Sequence, residues 1–101
     1  MLQSFDEVAE VIRKTLLARY PQVKKAYIFG SFARGEQTSQ SDVDILIDFK
    51  PNQAMGFDFY DIAEDIEHGT GRRVDLLTRT TVRTMPFMGE VEKEAKVVYE
   101  A

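Results

Sequence analysis

Cysteine is absent from this chain of 101 residues, so neither a disulfide nor a thiolate-ligated metal can form. That absence suits a cytoplasmic protein. No apolar run approaches the roughly 20 residues that span a membrane. The opening Met1-Leu2-Gln3-Ser4-Phe5-Asp6-Glu7 lacks the basic-then-apolar pattern of a signal peptide, so none is expected. Positive charge is in short supply: 13 Lys and Arg stand against 17 Asp and Glu, a formal net charge of −4. Extended nucleic acid, which needs many cations on phosphates, is therefore not an expected partner. A compact nucleotide is still allowed, because its site needs only a few local cations. There is a single histidine, His68, with nothing near it in sequence to complete a triad. Repeats and low-complexity stretches are lacking as well, and residues 1–101 read as one small domain.

What the chain does have is concentrated in residues 27–49. The apolar run Tyr27-Ile28-Phe29 stops at Gly30-Ser31, a polar loop follows, and a second apolar run begins at Asp42-Val43-Asp44 and continues through Ile45, Leu46 and Ile47. Short apolar runs bounded by Gly and Ser read as buried strands. Side chains alternate along a strand, so Asp42 and Asp44 share one face and Val43 takes the other. At about 4 Å and an effective dielectric of about 20, two such charges repel by roughly 4 kcal/mol. Protonation, cationic partners or a divalent metal would each relieve this. The Gly30-Ser31 turn selects among them. Glycine admits a ligand close to the backbone, and a Ser at a helix start leaves N–H groups facing an anion. Phosphates on one side and carboxylates on the other describe a metal–nucleotide site. The blander alternatives are an ordinary turn at Gly30-Ser31, with Asp42 merely capping it. Two other motifs are excluded. Gly35 is followed by Glu36 where a P-loop needs Lys and Ser or Thr, and Asp42-Val43-Asp44 lacks the later Gly and Glu of an EF-hand.

Gly30-Ser31, the ten-residue gap and Asp42-Val43-Asp44 resemble the signature of the DNA polymerase beta-like nucleotidyltransferases. Ala33-Arg34-Gly35 and Ser41-Asp42 are similar to the minimal nucleotidyltransferase (MNT) subgroup, and the resemblance covers nearly the whole chain. It implies a third carboxylate on a later strand, matched here by Asp75 in Arg73-Val74-Asp75-Leu76-Leu77. It further implies that Asp42, Asp44 and Asp75 are catalytic and hold two Mg²⁺ ions, and that Gly30, Ser31 and Arg34 bind the phosphates of ATP. An isolated loop arginine would read as an exposed charge; its place beside the Gly-Ser turn favours phosphate. The implied reaction is transfer of AMP from ATP to a hydroxyl. Larger relatives carry an extra acceptor domain for which this chain has no room, so a dimer or partner is expected to supply the acceptor. MNT proteins are similar to the antitoxin half of HEPN/MNT toxin–antitoxin pairs, which implies a HEPN RNase toxin as partner and a tyrosine as acceptor. The rival expectation is a non-catalytic binding module that neutralises its partner by contact.

The remaining elements follow from pattern. Ser4 and Glu7 have capping-box spacing ahead of an amphipathic helix over about 5–19, ended by Pro21. A strand is expected at 26–29, a short helical turn at 30–34 and a central strand at 43–49. A helix is expected at about 57–68, ended by Gly69, with its acidic run Asp58, Asp61, Glu64, Asp65 and Glu67 as a solvated face. A strand at 73–78, a helix opening near Pro86 and an edge strand at 97–99 complete the chain. The resulting fold class is α/β, a nucleotidyltransferase-type small mixed twisted sheet with helices mainly on one face. Met55-Gly56-Phe57 and Met85-Pro86-Phe87-Met88 are candidate docking stretches, or ordinary packing.

Overall fold

Ser4 starts the first helix as its spacing predicts. Its hydroxyl oxygen accepts from the Glu7 N–H at 3.1 Å and donates to Glu7 Oε1 at 2.9 Å. A computed structural model of the chain describes residues 4–51, 58–78 and 88–101. The helix, α1, runs Phe5–Arg19, and Val8, Ile12 and Leu16 on its inner stripe are fully buried. The elements that follow are β1 (Val23–Phe29), α2 (Ser31–Arg34), β2 (Val43–Phe49), α3 (Asp58–Thr70), β3 (Val74–Thr78), α4 (Met88–Glu94) and β4 (Lys96–Glu100). Both candidate docking stretches lie outside the described residues, apart from the backbone of Met88, as does the expected helix start at Pro86.

The four strands form one sheet in the order β3-β2-β1-β4, with β2 central and β4 at an edge as expected. β1 pairs antiparallel with β2 and with β4, whereas β2 and β3 are parallel, so the sheet is mixed. Strand alternation sorts the core into two faces. Ala26, Ile28, Val43, Ile45, Ile47, Val74 and Leu76 pack beneath α1 and α3 in the main cluster. Phe29 and Leu46 face the other way, against Val91 of α4, with Tyr27 and Leu77 beside them. Helices thus cover chiefly one face, and α4 takes the second.

Two boundaries differ from expectation. β1 begins at Val23, because main-chain pairing of Val23 with Phe49 and Lys25 with Asp48 carries the ladder past the two lysines. Gly69 does not end α3. It lies inside the helix, where a Cβ would come within 2.5 Å of Val11 Cγ1 of α1; the glycine lets the two helices approach. Gly71, with φ of 71°, is the residue that leaves the helix, and its N–H bonds Glu67 O at 2.8 Å. The acidic face is only partly solvated. Asp65 accepts from the Tyr20 hydroxyl and pairs with Arg19 at 2.9 Å, and Glu67 Oε2 accepts from the Val74 N–H at 2.9 Å.

Arg72, just ahead of β3, is buried. Its Nη1 donates to Thr38 O at 3.0 Å and Ser41 O at 2.7 Å, and its guanidinium lies 4.9 Å from the Phe32 ring. It therefore ties the polar loop before Asp42 to α2 and to the start of β3.

Ile45, fully buried on the central strand, carries the main core. Ile45→Ala should cost about 2–5 kcal/mol in urea unfolding at unchanged slope, the usual range for emptying such a site.

Candidate active site

Every element that meets the second face of the sheet near the end of β1 contributes a polar group there. Gly30 follows Phe29 and caps the four-residue α2 with φ of 73° and ψ of −150°. That backbone conformation is open to glycine and strained for other residues. Space demands glycine too, because a Cβ would sit 2.0 Å from Asp44 Oδ2. The register explains the contact: Phe29 stands opposite Asp44 in the antiparallel ladder, so the Asp44 carboxylate lies against the Gly30 backbone. Ser31 is the first residue of α2 and Arg34 its last.

Asp42, Asp44, Gly30, Ser31 and Arg34 line one cleft of about 430 Å³, together with Phe29, Val91 and Glu94. Asp75 does not line it. It stands beside Asp44 on the neighbouring strand, because the parallel register pairs Asp44 with Asp75, and its side chain is exposed. Residues paired in this way point to the same face of the sheet. Of the six residues expected at the site, five thus share the cleft and the sixth flanks it. His68 is exposed at the end of α3.

Negative charge accumulates at Asp44. Its carboxyl is pushed up to about 6, first by burial, then by Asp75 and Asp42, with Arg34 acting in the opposite direction and Glu94 adding slightly. A carboxylate this crowded favours a proton or a cation. Among the described residues no three carboxylate or imidazole groups are arranged as the ligand set of an ion. The chemistry of the donors fits a hard divalent cation all the same: an all-carboxylate set, half-buried at Asp44, with open space in front.

Glu94 was not expected. Its Oε1 accepts from the Gly30 N–H at 2.9 Å, and its two oxygens accept from Arg34 Nη1 at 3.2 and 3.0 Å. Arg34 Nε also bonds Glu36 at 2.7 Å. Nothing in Gly89-Glu90-Val91-Glu92-Lys93-Glu94 marks one glutamate from another; the helical offset of Glu94 from Val91 is the only available clue.

A glycine-lined cleft holding an arginine and clustered carboxylates, on a small mixed sheet, is the setting in which the comparisons with known proteins define the class as nucleotidyltransferase. The nucleotidyltransferase domain family matches residues 9–99. A candidate protein adenylyltransferase of Methanocaldococcus jannaschii is 33% identical over 96 residues, covering 92% of this chain and 96% of that protein. A crystal structure of a toxin–antitoxin with AMP-PNP superposes with a TM-score of 0.72 at 22% identity, over 92% of this chain and 73% of that one. The structure of a tri-AMPylated Shewanella oneidensis HEPN toxin in complex with MNT antitoxin gives 0.67 at 18% identity, over 96% and 73%. At such identities these two structures establish a shared fold. The chain belongs to the nucleotidyltransferase family.

The pH dependence of stability should carry the signature of Asp44. An acid raised from its ordinary value near 4 to about 6 stays protonated in the fold while the unfolded chain ionises, so stability falls as pH rises through that window. In metal-free buffer the loss should be about 1–2 kcal/mol after allowance for solvent screening. Urea unfolding across that pH range should show it, and Asp44→Asn should flatten the slope.

Proposed function

We propose that the protein transfers AMP from ATP to a hydroxyl of a partner protein, releasing pyrophosphate. The observation that carries this reading is the sharing of one cleft by Gly30, Ser31 and Arg34 with Asp42 and Asp44. Gly30, Ser31 and Arg34 take the β- and γ-phosphates. The Gly30 N–H and the guanidinium then stabilise the charge that develops on pyrophosphate as its bond to the α-phosphorus breaks. Asp42 and Asp44, with Asp75 beside them, would hold Mg²⁺. A bound Mg²⁺ would neutralise triphosphate charge and lower the pKa of the acceptor hydroxyl. Asp75, exposed beside Asp44 on the neighbouring strand, is the carboxylate to which we assign the hydroxyl proton.

The acceptor reading draws on the relatives. The name of the M. jannaschii protein, the AMP-PNP complex and the AMPylated HEPN toxin support ATP as donor and protein as acceptor. By that parallel the partner is a HEPN-type toxin and the protein is its antitoxin; the RNase activity of the toxin, the tyrosine acceptor and the cytoplasmic setting rest on the sequence and its resemblance alone. A homo-oligomer is compatible with the same chemistry. The specific observation favouring contact inhibition is the lack of a formed three-ligand set among the described residues.

The two readings part in one experiment. The HEPN partner is incubated with ATP, Mg²⁺ and either wild type or Asp42→Ala/Asp44→Ala, then weighed by mass spectrometry. Transfer should add AMP with wild type alone, and the partner should stay inactive after separation. Equal neutralisation by both proteins, with no mass added, would establish inhibition by contact.

A further inference from the structure

The two donors assigned to a triphosphate are already engaged in the nucleotide-free protein. Gly30 N–H and Arg34 Nη1 both bond the carboxylate of Glu94. A carboxylate offers two oxygens in a plane and accepts a guanidinium much as a phosphate does. Its placement is built into the fold. Glu94 ends α4 three residues after Val91, which packs against Phe29 and Leu46 on the second face of the sheet. The second bond of Arg34, from Nε to Glu36, leaves Gly30 untouched.

The carboxylate sits in the same cleft as Asp42 and Asp44. Like charges at this range repel, so the contact is held by Gly30 and Arg34 against its surroundings. Whatever enters must supply more acceptor oxygens to those donors than Glu94 does. We propose that Glu94 is a specificity-determining residue of the nucleotide site, occupying the β,γ-phosphate position until a polyphosphate displaces it. This rests on the phosphate role given to Gly30, Ser31 and Arg34. A monophosphate has nothing to place at that position and gains nothing from the displacement. ATP and pyrophosphate do, and the return of Glu94 assists departure of the pyrophosphate product.

The test is calorimetry on the full chain with ATP, pyrophosphate and AMP, each with Mg²⁺, for wild type, Glu94→Ala, the near-isosteric Glu94→Gln and Arg34→Ala. Removing a competing charge-assisted contact should tighten ATP and pyrophosphate by roughly tenfold or more in both Glu94 variants and leave AMP unchanged. Arg34→Ala should weaken ATP and pyrophosphate by about the same factor or more. If Arg34→Ala weakens binding but neither Glu94 variant tightens it, or AMP tightens equally, the role of Glu94 is overturned and the phosphate site stands. If Arg34→Ala changes nothing, the phosphate site itself fails, and this role fails with it.

Discussion

The contact between the Asp44 carboxylate and the bare backbone of Gly30 is the constraint on which the site depends. It forces glycine at the end of β1, follows from the register in which β1 and β2 meet, and sets a carboxylate against the Gly30 backbone at close range. An acid held there with a second acid before it in the chain and a third beside it on β3 is an unfavourable arrangement in the apo protein. Its disposition toward cations is the useful counterpart. Strain of this kind tends to gather where chemistry is done.

The rest of the fold can be read as support for that contact. The main hydrophobic cluster lies on the opposite face of the sheet, under α1 and α3, so the second face is free to carry acids without breaking up the core. Arg72 performs the complementary task from below. By gathering the carbonyls of Thr38 and Ser41 and stacking on Phe32, one buried cation aligns the loop before Asp42 with the turn after Gly30. Its Nη1 alone serves both carbonyls while the flat face of the guanidinium meets the ring, a stacking that a lysine ammonium does not offer.

The chain's own order explains what could be read from it. Gly30-Ser31 and Asp42-Val43-Asp44 are legible because they are local: strand alternation assigns faces, and the two strands follow one another in the chain. Asp75 is legible as a lone acid in an apolar strand, although only the parallel register with β2 places it next to Asp44. Glu94 was hidden because its role depends on how α4 lies across the sheet, a tertiary fact with no local signature. Gly69 misled for a related reason. A glycine near the end of a helix usually marks its exit, but here the pressure on that position came from Val11 on another helix. The strand expected from residue 26 begins at Val23, since the main chain there pairs with β2 whatever charge the side chains carry.

The pairing of β1 with β4 has a consequence in time. β1 finds β2 across the connection that carries α2, but its other neighbour is the last strand of the chain, with Lys25 opposite Glu100 and the Ala101 N–H closing on Lys24 O at 2.9 Å. Such a non-local pairing forms late, since the ordering of a long intervening stretch precedes its reward. Until it forms, one row of main-chain groups on β1 stays open, and α4, which leads directly into β4, is held to the sheet through Val91 on Phe29 and Leu46. The Glu94 wall of the cleft is therefore carried by the same C-terminal segment that completes the sheet.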